Sequence, residues 1–373
     1  MVLKRHLEQS PIRDLHDKVM AGQRLSEADA VRLFETQDLF TLGAMANHVR
    51  EKLNGNDTYY NINLHIDYSN VCSTTCKFCA YSRFPGEAGA WELSHAEIVK
   101  KSVEAHAKTG LTEIHIVGGL HPEYPFEWYE TMLRSLKAAL PKVHLKCFTG
   151  VEIHFFAEKY NLSNEEVLNR LMAAGLDSMP GGGAEIFHPD VREEICPGKA
   201  TADQWIEVHR TAHRLGLKTN ATMLYGHVET YAHRVDHMRR LRDLQDETKG
   251  FQTFIPLAFH PEHTAMDRFA RPSGIEDLKT LAVGRLFLDN FPHIKAYWIM
   301  LGLRLAQMSL AFGVDDLDGT VLEETIYHMA GAETPQSLSV ADLQRLIREA
   351  GRQPVERDTL YRNLKPQPAL VGV

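Results

Sequence analysis

The sequence of 373 residues lacks three features that would place it in large classes of protein. It has no apolar stretch near the roughly 20 residues that a membrane-spanning helix needs. It has no run of lysine and arginine, and its 49 acidic against 41 basic residues give a net charge of -8, so we expect no nucleic-acid partner. Its first residues carry no apolar signal segment, and we therefore expect a cytoplasmic protein without a membrane span.

Cysteine is also scarce, and its distribution is informative. The chain has five cysteines, an odd number that does not suit a disulfide-stabilised scaffold. Three of them, Cys72, Cys76 and Cys79, form the pattern C-x3-C-x2-C. Three thiolates from one loop can hold a [4Fe–4S] cluster and leave its fourth iron open to a small chelating molecule such as S-adenosylmethionine (SAM). A structural zinc site is the alternative, and it would need a fourth ligand from a distant cysteine or a nearby histidine.

The hydrophobic pattern predicts an α/β fold. Helical periodicity fills about the first sixty residues, and eight alternations of strand and helix follow over about 260 residues. The predicted strands are 62–67, 113–117, 144–152, 178–179, 219–225, 251–259, 294–300 and 314–317. No Gly-x-Gly-x-x-Gly follows the first strand, which disfavours a dinucleotide-binding sheet. We expect a (β/α)8 TIM-type barrel over 59–325 with helical extensions at 1–58 and 326–373, while a six-unit partial barrel and a doubly wound sheet stay open.

The position of the cysteine loop agrees with a barrel active site. The loop follows the first predicted strand, and barrel active sites lie at the carboxyl ends of the strands. In that strand apolar residues alternate with Asn63, His65 and Asp67, so these polar side chains should face the barrel interior below the cluster. Phe78 lies inside the loop and would supply an apolar face beside the cluster.

Other residues near predicted strand ends are candidates for the same site. Gly118 and Gly119 would let the backbone approach the methionyl part of SAM, although a simple turn explains them equally well. Glu185 follows three consecutive glycines. A flat wall with one carboxylate suits a ribose or an extended substrate, and a flexible turn is the alternative. Glu185 is therefore a candidate for SAM binding and for catalysis. Among the histidines, His260 is the best placed for acid–base chemistry or anion contacts.

Several segments together resemble a known family. They are 60–67, 70–72, 76–81, 180–185, 221–230 and 244–248. These segments resemble the radical SAM enzymes of the futalosine route to menaquinone and their deazaflavin-forming relatives, and the resemblance covers about residues 50–362. Three further segments, 254–261, 295–302 and 315–320, favour the aminofutalosine synthase branch.

The resemblance implies a reaction. The adenosyl radical from SAM would add to the enol-ether double bond of 3-[(1-carboxyvinyl)oxy]benzoate, and rearrangement and decarboxylation would give 6-amino-6-deoxyfutalosine. The resemblance also implies a [4Fe–4S] cluster, SAM as a consumed co-substrate, and an electron donor such as flavodoxin or ferredoxin. Cyclic dehypoxanthine futalosine synthase and a deazaflavin-precursor synthase subunit are alternatives within the family, and a zinc-stabilised binding protein is the alternative outside it.

A small aryl enol ether with two carboxylates needs cationic or hydrogen-bonding partners. The candidate substrate-binding residues are His65, Arg83, His260, Arg271 and Lys295. Each of them has an alternative role, as a surface salt-bridge residue or as a hydrogen-bonded residue of the core.

Overall fold

The computed structural model describes residues 6–364. Its helices are α1 (Arg13–Met20), α2 (Glu27–Glu35), α3 (Leu39–Asn54), α4 (His95–Thr109), α5 (Phe126–Ala139), α6 (Gly150–Tyr160), α7 (Asn164–Ala174), α8 (Pro189–Ile195), α9 (Ala202–Arg214), α10 (Tyr231–Thr248), α11 (Gly274–Phe287), α12 (Trp298–Leu301), α13 (Leu303–Ser309), α14 (Ile326–Met329) and α15 (Val340–Glu349). Its strands are β1 (Asp57–Asn61), β2 (Asn63–Asp67), β3 (Glu113–Val117), β4 (His144–Cys147), β5 (Ser178–Met179), β6 (Lys218–Tyr225), β7 (Phe251–Ala258), β8 (His293–Ile294), β9 (Asp316–Gly319) and β10 (Gln353–Glu356).

A sheet of seven parallel strands, β2 to β8 in sequential order, forms the centre of the fold. Parallel strands joined in order by helices curl into a barrel. The two edges, β2 and β8, do not pair with each other. Instead β9 and the residues after it stand between them, with single bridges from Leu322 to Leu64 and from Asp316 to Lys295. The predicted α/β barrel is confirmed, as an incomplete barrel of seven strands.

A second sheet has three parallel strands in the order β10-β1-β9. The strand predicted at 314–317 is found two residues later, as β9, and it pairs mainly with β1. The pattern did not predict β1 or β10, because neither Asp57–Asn61 nor Gln353–Glu356 alternates apolar with polar residues. The C-terminal segment therefore contributes a strand in addition to its predicted helix, and where the domains divide stays a prediction.

Two predicted strands were too long. The strand predicted at 144–152 ends at Cys147, and α6 begins at Gly150. Thr149 caps that helix, since its hydroxyl accepts from the Glu152 N–H at 3.2 Å while the Glu152 carboxylate accepts from the Thr149 N–H at 2.7 Å. The strand predicted at 294–300 likewise gives way to α12. Short apolar runs fit a strand and a buried helix equally well.

The apolar core lies between the barrel and its surrounding helices. Leu64 and Ile66 of β2 point outward and belong to an apolar cluster that includes Ile98 of α4, which confirms the predicted alternation. The N-terminal helices α2 and α3 pack against α10 and α11 on the outside of the barrel. In the part of the chain that is described, no helix is both long and apolar enough to cross a bilayer. The barrel interior is thus left to the polar faces of the strands.

Candidate active site

A cavity of about 340 Å³ opens at the carboxyl ends of the barrel strands. The cysteine loop and the glycine segments line its mouth, and side chains from the middle of the strands line its floor. The predicted site residues that line it are His65, Cys72, Cys76, Phe78, Cys79, Gly118, Gly119, Glu185, His260 and Lys295. Segments far apart in sequence therefore meet in one cavity, as the barrel prediction requires.

The three cysteines of the loop are partly buried free thiols. The N–H of Leu120 points at the sulfur of Cys72, and that of Ser82 at the sulfur of Cys79, each at 3.4 Å. Burial raises the pKa of the Cys76 thiol to about 12, so without a bound metal this sulfur stays protonated. Backbone N–H groups directed at sulfur are the surroundings that iron–sulfur thiolates use, and the loop fits such a cluster.

The spacing of the ligands also bears on the zinc alternative. Between residues 6 and 364, no three histidine, cysteine or carboxylate side chains converge on one point. Zinc needs four ligands at about 2.0–2.3 Å from a single ion. In a [4Fe–4S] cluster each thiolate binds a different iron, so the sulfurs are spread around the cluster.

Glycine at the end of β3 allows the cysteine loop to lie against the strand. A Cβ on Gly119 would lie 2.1 Å from the Val71 carbonyl oxygen and 3.1 Å from the Cys72 Cβ. A Cβ on Gly118 would lie 2.5 Å from the Tyr68 ring. Any other residue here would displace the loop, so the two glycines shape the mouth of the cavity as well as line it.

Glu185 lies on the cavity wall in an unusual backbone conformation. Its φ is 48°, in the left-handed region that non-glycine residues rarely adopt and that is often kept for function. Its carboxylate accepts a hydrogen bond from the Lys199 ammonium at 2.5 Å. The same ammonium lies 5.3 Å from the centre of the Phe78 ring. Sequence reasoning missed Lys199, because it follows the short helix α8 and no pattern marks it.

His260 is only 4% exposed, and one of its ring nitrogens has no partner. Its Nε2–H donates to the Met300 carbonyl oxygen at 3.0 Å, so Nε2 carries the proton in the neutral ring. Nδ1 is buried and forms no hydrogen bond. Because burial lowers the pKa of His260, Nδ1 presents a free lone pair in a side chain that lines the cavity.

Three strands place polar side chains next to one another on the cavity floor. His65 of β2 is in register with His115 of β3, and His115 with Lys146 of β4. All three side chains line the cavity. Sequence reasoning identified His65 but missed His115 and Lys146. The sequence contained a signal for both, because apolar and polar residues alternate in β3 and β4 as they do in β2. The alternation places His115 and Lys146 on the inward face beside His65.

Both floor lysines are held by buried carboxylates. The Lys146 ammonium lies 2.7 Å from a Glu113 oxygen, and the Lys295 ammonium lies 2.8 Å from an Asp318 oxygen. Burial lowers the pKa of Lys146, and the charge of Glu113 acts in the opposite direction. The pairing fixes the position of each ammonium in the cavity.

Two predicted substrate ligands, Arg83 and Arg271, lie outside the cavity lining. The Arg83 guanidinium donates to the carbonyl oxygens of Ala80 and Ser82, at 3.0 and 2.7 Å. The Arg271 guanidinium pairs with Glu262 at 2.8 Å in an exposed loop. Arg83 therefore holds its own loop together, whereas Arg271 also joins its loop to Gly331, whose carbonyl oxygen accepts from the guanidinium at 2.7 Å.

Comparison with known proteins places these features in context. Residues 66–241 match the radical SAM superfamily, and residues 248–369 match the CofH/MqnC C-terminal region. The chain is 51% identical to aminodeoxyfutalosine synthase of Thermus thermophilus, over 94% of this chain and 95% of that protein. It is 46% identical to aminodeoxyfutalosine synthase of Streptomyces coelicolor, over 96% of each. It is 40% identical to the 5-amino-6-(D-ribitylamino)uracil–L-tyrosine 4-hydroxyphenyl transferase of Methanoculleus marisnigri, over 94% of this chain and 97% of that protein.

Among solved structures, methylornithine synthase has a similar fold. The TM-score is 0.73 at 18% identity, and the match covers 91% of this chain and 97% of that one. At this identity the likeness concerns the fold alone, and it agrees with the barrel described above.

Proposed function

This chain belongs to the radical SAM superfamily and, within it, to the family of the aminodeoxyfutalosine synthases, and we propose that it joins the 5′-deoxyadenosyl group of SAM to 3-[(1-carboxyvinyl)oxy]benzoate. The product is 6-amino-6-deoxyfutalosine, formed with rearrangement and loss of one carboxylate. The observation that carries this assignment is the 51% identity to an aminodeoxyfutalosine synthase over 94% of the chain.

Cys72, Cys76 and Cys79 are the residues that would hold a [4Fe–4S] cluster, as their free thiols and the N–H groups directed at the sulfurs of Cys72 and Cys79 support. When bound, the cluster and the SAM on its open iron supply the adenosyl radical. We assign the binding of SAM to side chains and backbone around the mouth of the cavity. These residues are Phe78, Gly118, Gly119 and Glu185.

The remaining cavity residues act on the substrate. Apolar side chains, among them Leu224, Leu257 and Phe259, line the wall and exclude water from a reactive carbon radical. The ammonium of Lys295 and the ring of His65 would contact a substrate carboxylate from the floor. His260 would accept a proton or a hydrogen bond at Nδ1, which supports a catalytic role.

The alternatives within the family differ in substrate. The 40% identity to the 4-hydroxyphenyl transferase of Methanoculleus marisnigri is lower than the identity to either aminodeoxyfutalosine synthase, so the deazaflavin-forming reaction ranks second. A cyclic dehypoxanthine futalosine synthase is a further alternative. We also propose flavodoxin or ferredoxin as the electron donor and the cytoplasm as the location, and both stay predictions.

An anaerobic assay of the reconstituted enzyme tests the assignment. Reduced wild-type enzyme with SAM should convert the enol ether to an adenosylated product, and it should bind about four irons per chain. Cys76→Ala should lose both properties. Cys147→Ala is the matched control, because Cys147 is buried in the outer apolar cluster and should leave iron and activity intact. Turnover of dehypoxanthine futalosine or tyrosine, with none of the enol ether, would contradict the assignment.

A further inference from the structure

The cavity floor contains more hydrogen-bond donors than the protein itself uses. The described residues offer the Lys146 ammonium one acceptor, an oxygen of Glu113. The Lys295 ammonium likewise has one acceptor among residues 6–364, an oxygen of Asp318. An ammonium has three N–H donors, so each lysine keeps two donors without a protein acceptor. Buried donors without a partner are costly, and they therefore indicate a ligand that accepts hydrogen bonds.

Two histidines add to this surplus. The Nε2 atoms of His65 and His115 are buried and have no hydrogen-bond partner, and the two rings lie 4.6 Å apart between centres. Burial lowers the pKa of both rings, so each stays neutral and can donate one N–H. The two lysine–carboxylate pairs cancel in charge. What remains is a set of N–H donors on side chains that line the cavity.

One acceptor next to this set is also without a partner. The second carboxylate oxygen of Glu113, Oε2, is buried and forms no hydrogen bond. Glu113 does not line the cavity, however, whereas Lys146 does. A ligand in the cavity would therefore meet the Lys146 ammonium and the two rings before Glu113, while beside Lys295 the Asp318 carboxylate also lines the cavity. This difference makes Lys146 the less shielded of the two ammonium groups. The ligand that fits is an anion with two acceptor oxygens, which is a carboxylate.

We propose that this floor, with Lys146 as its principal residue, binds the carboxylate on the aromatic ring of the substrate and so selects arene carboxylates. The inference rests on the proposed function, and it identifies the part of the cavity that recognises the ring carboxylate of the substrate. Since the cysteine loop lies at the mouth, a ring carboxylate on the floor directs the enol-ether end toward the loop.

The chemistry of the reaction distinguishes between the two substrate carboxylates. One carboxylate is lost as CO₂ while the other is retained in the product. Ammonium groups stabilise the charged form of a carboxylate, so they would oppose the loss of a carboxylate that they hold. The donors of the floor therefore suit the retained group on the ring.

A comparison of two substrates tests the proposal in the holoenzyme. The second substrate is 2-phenoxyacrylate, which lacks the ring carboxylate. Wild-type enzyme should prefer the carboxylated compound by about 100-fold in kcat/KM. Lys146→Met should lose about ten- to a hundred-fold in kcat/KM for the carboxylated compound only. Lys279→Met is the matched control, because Lys279 is a buried lysine that donates to the Phe34 carbonyl oxygen outside the cavity.

Lys146→Met leaves the Glu113 carboxylate buried without its cation, which can destabilise the barrel. The double variant Glu113→Gln, Lys146→Met removes the pair as a unit and should show the same loss of preference. Circular dichroism and the iron content then show whether each variant is folded. A lost preference between the two substrates can thus be distinguished from a lost fold.

Binding without turnover gives a second readout. Unreduced holoenzyme should bind 3-hydroxybenzoate by calorimetry, whereas Lys146→Met should bind it at least about tenfold more weakly. The proposal is overturned if Lys146→Met keeps the preference between substrates or binds 3-hydroxybenzoate as wild type does. Failure of the proposed function gives another result, because wild-type enzyme would then form no adenosyl adduct from either compound. The difference in affinity for 3-hydroxybenzoate between wild type and Lys146→Met would still show whether the floor binds a ring carboxylate.

Discussion

Glu185 and Lys199 form a buried ion pair on the cavity wall, with 2.5 Å between the carboxylate oxygen and the ammonium nitrogen. The pair joins the glycine-rich end of β5 to the segment after α8, and Lys199 also reaches over the Phe78 ring. Because Phe78 belongs to the cysteine loop, a single cation connects three segments that surround the predicted SAM site.

We predict that Glu185→Gln weakens SAM binding by about tenfold, since it removes one charge from a buried pair and from the predicted ribose contact. The Kd for SAM, measured by equilibrium dialysis on unreduced holoenzyme, checks this. Glu262→Gln is the control, because Glu262 pairs with Arg271 outside the cavity and should leave the Kd unchanged. An unaltered Kd in Glu185→Gln would remove Glu185 from the SAM site.

The two ring nitrogens of His260 have different roles: Nε2–H donates to the Met300 carbonyl oxygen, and Nδ1 has no partner among the described residues. His260→Gln can still reach the Met300 carbonyl but lacks the Nδ1 lone pair, and we expect kcat to fall by about 100-fold with little change in KM for the enol ether. His260→Asn places an amide oxygen near the position of Nδ1 and should retain more activity. Steady-state kinetics under reductant measure both. Equal activity in the two variants would show that Nδ1 has no part in the reaction.

Gly119→Ala should prevent the cysteine loop from taking its place. The new Cβ would lie 2.1 Å from the Val71 carbonyl oxygen, and backbone cannot move aside cheaply, so we expect iron binding to fall below half of the wild-type value. Gly274→Ala is the matched control, since its Cβ would meet Leu305 at an ordinary 3.5 Å. Iron content after reconstitution decides the question, and full iron binding in Gly119→Ala would contradict the described packing of the loop.

Acid should destabilise the fold through buried histidines such as His237. Its ring stacks on Phe187 at 3.9 Å and its Nε2–H donates to the Thr222 carbonyl oxygen at 2.9 Å. Burial lowers the pKa of His237 from 6.5 to about 3. Between these values the unfolded chain binds one more proton than the folded chain, so stability is present above pH 6.5 and is lost as the pH falls below it.

The expected loss from His237 approaches about 1.4 kcal/mol per pH unit below pH 6. Urea unfolding at several pH values between 4.5 and 7, in the wild type and in His237→Gln, measures this slope. The variant should be less stable at pH 7 and should have the shallower slope. Identical slopes would mean that His237 is already protonated in the folded protein.

The sequence was sufficient to predict the cysteine loop and the strand before it, because both are local. The spacing of Cys72, Cys76 and Cys79 lies within one loop, and the alternation around His65 lies within one strand. The ion pair of Lys146 and Glu113 is not local, since its partners lie 33 residues apart. Only the parallel register of β3 and β4 brings them together, and no local pattern encodes a register.

The second sheet, β10-β1-β9, could not be predicted for a similar reason. β1 and β10 are separated by almost the whole described chain, yet Tyr60 of β1 is in register with Glu356 of β10. Neither strand alternates apolar with polar residues, and the pairing joins distant parts of the chain. Sequence reasoning therefore predicted the cysteine loop at the mouth of the cavity better than it predicted the second sheet.

Transfer of the adenosyl group of SAM to the enol ether can be followed with an isotope label. Reduced holoenzyme would be supplied with SAM carrying ¹³C in its adenosyl group, and the products would be resolved by mass spectrometry. We expect the label in 6-amino-6-deoxyfutalosine, with one labelled product for each methionine released. Label found only in free 5′-deoxyadenosine, with an unlabelled product from the enol ether, would contradict this transfer.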